Sequence, residues 1–291
     1  MDLETLNPDS VEEVFARHGA LSITLSDAGD KPVLEPAPGE TPLWRDTRIT
    51  ALFDADADLE RLQDDLLQSF ELEALPAHEV SSLEDRAWER EWLHDFGPMR
   101  FGERLWICPT GSRVDATDAV VVRLDPGLAF GTGTHATTAL CLEWLDGLPL
   151  TDRTVLDYGC GSGVLAIAAL LLGSGPTTAM DIDPQAVTAT TGNADNNGVL
   201  RKLTVLSADA PIEGRFDVVV ANILAGPIVE LAETIAGHVN SGCLLALSGI
   251  LSEQVNDVLE AYAPWIEFDE PVLREQGGQT WARLTGRRIE G

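Results

Sequence analysis

Gly159, Gly161 and Gly163 alternate with Cys160 and Ser162 directly after the apolar run Val155-Leu156-Asp157-Tyr158, and Asp181 closes the next apolar run. Glycines at this spacing let the backbone turn sharply and approach a ligand closely, and the helix expected from Val164 offers unpaired N–H groups at its start. An acid at the tip of the second strand can accept both hydroxyls of a ribose. Together these residues outline a pocket for a nucleoside-containing cofactor. The spacing departs from the dinucleotide fingerprint G-x-G-x-x-G, because Val164 stands where its third glycine belongs. A further group of interest is Asn222, which follows Val218-Val219-Val220-Ala221. An amide at a strand's carboxyl end can accept hydrogen bonds from an amine and orient its lone pair. His135 ends the loop Phe130-Gly131-Thr132-Gly133-Thr134-His135. Its imidazole suits either a general base or a side chain that holds the loop in shape. Thr132 and Thr134 read as loop formers, and Asp183, before Pro184, reads as a helix cap.

The elements that must position these groups follow from periodicity. Residues 99 onward form a regular series of apolar strands and helices: strands at Arg100–Pro109 and Ala119–Leu124, a helix from Ala136 to Leu145, then strand Thr154–Tyr158, helix Val164–Leu172, strand Thr177–Ile182 and helix Pro184–Asn197. Strands Leu203–Ser207 and Phe216–Ala221, helix Pro227–His238, strand Leu244–Ser248, helix Ser252–Ala261 and closing strands near Glu267 and Thr280–Leu284 complete the series. Such alternation implies a doubly wound α/β sheet with a mostly parallel core, whose ligands lie beyond the carboxyl ends of the strands. Upstream, Ser10-Val11-Glu12-Glu13 has the form of a capping box opening a short helix that ends near Gly19. Ala20–Leu25 and Thr47–Phe53 read as strands separated by a proline-rich turn segment from Asp27 to Pro42, and Asp58–Phe70 as an amphipathic helix. This gives a small α+β domain over residues 1–72, a linker with a helix over 73–98, and a large domain over 99–291. In the linker, Trp88 and Trp92 share one helix face and are expected to anchor it.

Composition limits the function classes. The chain has 48 acids against 19 bases, a formal net charge of −29, and Lys31 and Lys202 as its lysines. Phosphate-backbone binding needs clustered Lys and Arg, so no direct nucleic-acid binding is expected. The excess acid is spread along the chain, which suits a salty cytoplasm better than a docking patch, and it argues for a monomer at low salt. No apolar run is long enough to span a membrane, and the acidic start lacks the basic residues of a signal peptide, so a cytoplasmic location is expected. Cys108, Cys141, Cys160 and Cys243 lie far apart without C-x-x-C pairing, so neither a metal site nor a disulfide framework is indicated.

Several motifs taken together carry a specific resemblance. The D-x-G-x-G-x-G turn with an acid after the second strand resembles the pattern of class I methyltransferases, which bind S-adenosylmethionine. F-G-T-G-T-H at Phe130–His135 with Thr137-Thr138, then L-D-Y-G-C-G-S-G, D-I-D-P and N-I-L-A-G-P at Asn222–Pro227, are similar to the family that methylates the eleventh protein of the large ribosomal subunit. The likeness extends to D-R-A-W-E-R-E-W and to R-F-G-E-R-L-W-I at Arg100–Ile107, and so covers nearly the whole chain. It implies a seven-stranded class I catalytic sheet, a linker and an amino-terminal module that grips the substrate. It also implies Thr138, Gly159, Asp181 and Asn222 at cofactor-binding positions, with Gly161 and Gly163 completing the turn, and repeated methylation of lysine side chains and an α-amino group. Two departures stand out: Ala136 replaces the family's proline, and Met1–Leu6 is short and acidic where the family opens with an apolar strand. The competing readings are a methyltransferase of the same fold acting on another protein or a small amine, a nucleotide-dependent oxidoreductase, and a non-catalytic adaptor.

Overall fold

The computed structural model describes residues 1–29, 44, 46–82, 97–125, 131 and 133–290. The linker helix with Trp88 and Trp92, most of the turn segment before Pro42, and Phe130 and Thr132 fall outside these residues. The chain divides into two compact units, Met1–Arg86 and Ala87–Gly291.

The first unit contains α1 (Pro8–Arg17), β1 (Ser22–Asp27), β2 (Thr47–Leu52) and α2 (Leu59–Ser69). Helix α1 starts a turn earlier than the capping-box reading places it. Asn7 is the cap, its side-chain oxygen accepting from the Ser10 N–H at 3.1 Å, and Pro8 fits the first turn because it has no N–H to satisfy. Asp58 caps α2 in the same way. Strands β1 and β2 pair antiparallel, and the acidic first residues add a fragment beside β2: Asp2 bridges Arg48, Leu3 donates its N–H to the Thr47 carbonyl, and Met1 accepts from Ile49. Leu3 enters the small core with Val11, Val14, Phe15, Ile49, Leu62 and Leu66, which explains why so polar a segment is held at all.

In the second unit, β3 (Met99–Phe101), β4 (Leu105–Cys108) and β5 (Val120–Arg123) form a three-stranded sheet of their own. The single strand expected over Arg100–Pro109 is thus a hairpin, its turn held by Asp146, whose carboxylate accepts from the Glu103 and Arg104 N–H groups. Next come α3 (Ala136–Asp146), β6 (Val155–Tyr158), α4 (Val164–Leu171), β7 (Thr177–Asp181), α5 (Pro184–Asn196), β8 (Leu203–Ser207) and β9 (Phe216–Asn222). Helices α6 (Ala225–Glu230) and α7 (Ala232–Gly237) replace one expected helix, broken at Leu231. Strand β10 (Val239–Leu251), α8 (Val255–Tyr262), β11 (Ile266–Phe268), β12 (Val272–Gln276) and β13 (Gln279–Arg288) complete the unit.

The main sheet runs β11-β13-β10-β9-β6-β7-β8, with β12 as an eighth strand on β13. Strands β10, β9, β6, β7 and β8 are parallel, and β13 is antiparallel to β10. Alternate residues serve the two faces: Val155, Val218 and Val220 join a core with α3, α4 and α5, while Leu156, Tyr158, Val219 and Ala221 join one with α6, α7 and α8. The chain leaves β6 toward β7 on one side and returns to β9 on the other. The switch point therefore lies between β6 and β9, where a parallel sheet opens a crevice at its carboxyl edge.

Candidate functional site

The glycine turn leaves β6 at that crevice. Gly159, Gly161 and Gly163 all have positive φ, at +79°, +54° and +77°. A Cβ on Gly159 would crowd the Ile223 side chain, and one on Gly163 would lie 2.7 Å from Thr190, so a larger residue at either position would strain the turn and displace a neighbouring side chain. The turn is gripped from several sides. Thr190 of α5 donates its hydroxyl to the Gly161 carbonyl at 2.9 Å, Asn193 donates to the Ser162 carbonyl at 2.8 Å, and the Ser162 hydroxyl donates to the Gly131 carbonyl at 2.7 Å.

Asp181 ends β7 as expected and is half-buried. Its Oδ2 accepts from the Gly161 N–H at 2.8 Å and its Oδ1 from the Asp183 N–H at 2.9 Å, so one carboxylate fixes the glycine turn to the start of α5. Asp183 caps α5, accepting from the Gln185 N–H at 2.8 Å. Beside Asp181, the Ile182 side chain is 78% exposed, an apolar surface at the lip of the crevice.

Asn222 is the last residue of β9, paired with Ser248 of β10. Its amide donates to the Thr138 hydroxyl at 3.2 Å, and its buried Oδ1 finds no hydrogen-bond partner among the described residues. Thr138 lies in the first turn of α3 and is fully buried. Gly131, Thr138, Gly159, Cys160, Gly161, Val164, Leu165 and Asn222 thus line one open cleft. Residues from three separate stretches of sequence, Gly131–Thr138, Gly159–Leu165 and Asn222, meet there.

His135 is the N-cap of α3. Its Nδ1 lies 2.8 Å from the Thr137 hydroxyl and accepts from the Thr137 N–H at 3.4 Å, and the ring stands edge-to-face on Trp281 at 4.6 Å. Burial pulls its pKa below the usual imidazole value, which keeps the ring neutral. These contacts tie the ring to the first turn of α3 and to Trp281.

Sequence reasoning passed over Asp157, Thr190, Asn193 and Gln276. Asp157 carried a local signal as the acid of D-x-G-x-G-x-G. It is fully buried at the end of β6, accepts from the Ala166 N–H at 3.0 Å, and desolvation lifts its pKa from 3.8 to about 7. Thr190, Asn193 and Gln276 carried none, since each acts across a long stretch of chain. Among the described residues no cluster of His, Cys, Asp or Glu could hold a metal, and no helix is long and apolar enough to cross a membrane.

Five parallel strands flanked by a reversed strand, a glycine turn after the first of them, an acid after the second and a pocket at the switch point define a class I methyltransferase, for which S-adenosylmethionine is the methyl donor. Comparison with known proteins narrows this. Residues 2–289 match the family described as ribosomal protein L11 methyltransferase (PrmA), and the chain belongs to that family. It is similar to the ribosomal protein L11 methyltransferases of Shewanella woodyi (strain ATCC 51908 / MS32), 51% identical over 290 residues covering 99% of this chain and 97% of that one. The enzyme of that name from Escherichia coli O8 (strain IAI1) is 53% identical over 283 residues, covering 97% and 95%. Among solved structures, a ribosomal protein L11 methylase from Lactobacillus delbrueckii subsp. bulgaricus aligns with 67% of this chain and all of its own at a TM-score of 0.60 and 32% identity.

Proposed function

We propose that this methyltransferase transfers methyl groups from S-adenosylmethionine to lysine side chains and to the α-amino group of ribosomal protein L11, as a cytoplasmic monomer, with residues 1–72 serving as the module that grips the substrate and 73–98 as the linker. The observation that carries the reading is the Asn222 amide at the carboxyl end of β9, with its buried Oδ1 unpartnered inside the cleft it shares with the glycine turn.

The donor set fits the cofactor. The turn carries no side chain at Gly159, Gly161 or Gly163 to obstruct a close approach, and the buried Asn222 carbonyl oxygen, unpartnered among the described residues, suits an ammonium or amine donor. Gly159, Gly161 and Gly163 would pass beneath the cofactor, Asp181 would accept its ribose hydroxyls through lone pairs that the two backbone bonds leave over, and Thr138 with Asn222 would border its reactive end. When bound, the cofactor supplies an electrophilic methyl on a sulfonium.

The chain's own work is then to present a neutral amine. A lysine with a reference pKa of about 10.4 arrives charged, and burial favours its uncharged form. Asn222 Oδ1 can accept an N–H from that amine and fix its lone pair in line with the methyl group, for which a separation of roughly 3 Å is needed. The Asn222–Thr138 hydrogen bond holds the amide oxygen in this orientation. Among the described residues, none that line the cleft carries a carboxylate; Asp181 beside it already accepts two backbone N–H groups and is assigned to the ribose, and Asp157 is buried behind the turn. His135 is the alternative proton acceptor, and its Nδ1 contacts with Thr137 weigh against that role. The departing proton then passes to water. Peptide mapping by mass spectrometry of L11 treated with enzyme and S-adenosylmethionine tests the reading. Methyl groups on lysine Nζ and on the terminal nitrogen support it, and methylation confined to other atoms overturns it.

A further inference from the structure

The hairpin of β12 and β13 reaches back to the loop that precedes α3, although the two are about half the chain apart in sequence. At its tip Gln276 uses both ends of its amide: Nε2 donates to the Thr134 carbonyl at 3.0 Å, and Oε1 accepts from the Ala136 N–H. These backbone groups flank His135 on either side. The Ala136 N–H belongs to the first residue of α3, where the helix supplies no acceptor, so Gln276 meets an end-group requirement from outside the helix. On the neighbouring strand, Trp281 packs its ring against His135 at 4.6 Å and 74°. Two residues back on β12, Arg274 pairs with Glu143 of α3 at 2.8 Å, fixing the hairpin along the helix.

We infer that Gln276 is a positioning residue for methyl transfer, holding the segment Thr134–Ala136 from both sides so that the first turn of α3 presents Thr138 to Asn222. The inference rests on the function proposed above. Gln276 is a side chain at the exposed end of a hairpin, and the sheet stands without it: β13 is held by β10 over seven residue pairs. What its amide sets is the path of the backbone through Thr134, His135 and Ala136 as it enters the pocket-lining turn. The contact depends on the N–H of Ala136, which a proline at this position would lack.

Two variants separate a two-sided clamp from simple capping. Gln276→Ala removes both bonds. Gln276→Glu keeps an acceptor for the Ala136 N–H, and its charge suits a helix start, but it sets a carboxylate oxygen against the Thr134 carbonyl. With the full-length enzyme and L11, kcat is expected to fall about tenfold in both variants while KM for S-adenosylmethionine stays within about threefold. Gln279→Ala, across the hairpin from Gln276, is the control expected to behave as wild type. A second readout needs no turnover: with ring-labelled histidine at alkaline pH, the His135 ring resonances, shifted by the Trp281 ring current, should move in both Gln276 variants and stay in Gln279→Ala. Unchanged kcat together with unchanged His135 resonances in Gln276→Ala overturns the inference, as does wild-type behaviour of Gln276→Glu. If wild-type enzyme leaves L11 unmodified, the functional proposal fails, and the resonances still decide whether the clamp exists.

Discussion

Replacing Asp181 with asparagine keeps the shape of the side chain and removes one acceptor. In the protein both carboxylate oxygens are in use, Oδ2 by the Gly161 N–H at 2.8 Å and Oδ1 by the Asp183 N–H at 2.9 Å. An amide has a single acceptor oxygen, so in either orientation its NH2 group faces a backbone N–H. A hydrogen bond to a charged acceptor contributes about 1.5–3 kcal/mol, and the half-burial of Asp181 places the loss toward the lower end of that range. The remaining bond also weakens as the charge disappears, and so would the contacts to ribose hydroxyls. Affinity for S-adenosylhomocysteine should therefore fall by about 10- to 100-fold, roughly 1.4–2.8 kcal/mol. Isothermal titration calorimetry measures this directly, and thermal unfolding of the cofactor-free variant shows whether the turn itself has loosened. Binding within about twofold of wild type would refute the assignment of Asp181 to the ribose, because loss of the charge and of one backbone anchor could not both be silent.

Three further outcomes are expected. Asn222→Ala should cut kcat by about 100-fold and leave cofactor affinity within about tenfold, as measured by single-turnover methylation beside calorimetry, because the amide orients the amine more than it holds the cofactor. Gly163→Ala sets a Cβ 2.7 Å from Thr190 at a φ of +77° and should lose about 2–3 kcal/mol in urea unfolding, partly restored by Thr190→Ser. Asp157 gives a pH signature: its folded pKa of about 7 exceeds the unfolded value, so the stability it permits is present below about pH 4 and is lost as pH rises to about 7, on the order of 4 kcal/mol. The difference in unfolding free energy between wild type and Asp157→Asn should follow that window, and a flat difference from pH 4 to 7 would remove the buried carboxyl from the account.

What the sequence made legible was local chemistry at element ends. The glycine turn, Asp181, Asp183 and Asn222 each sit where a short run of residues changes from apolar strand to turn, and the structure brings them to one edge of the sheet. Strand type was likewise readable wherever both faces are buried, as in Val155–Tyr158 and Phe216–Asn222. Lengths were less so. Strand β10 runs thirteen residues where five were expected: Val239 pairs with Phe216 of β9 ahead of a register shift that skips Asn240–Cys243, and Ile250 and Leu251 continue the pairing with β13 at the far end, features that no apolar alternation announces. Strand β12, Val272-Leu273-Arg274-Glu275-Gln276, is largely exposed and has no apolar alternation to announce it. The supports of the site, Thr190 and Asn193 behind the glycine turn and Gln276 beside His135, are ordinary polar residues whose partners lie 29, 31 and about 140 positions away. Only the folded chain brings them together.

Methyl transfer to amines of ribosomal protein L11 is read from the intact mass of that protein after incubation with this enzyme and S-adenosylmethionine. A ladder of successive CH₂ additions that requires the cofactor and collapses with Asn222→Ala is expected. An unchanged L11 mass with wild-type enzyme, at low and at high salt alike, would contradict it.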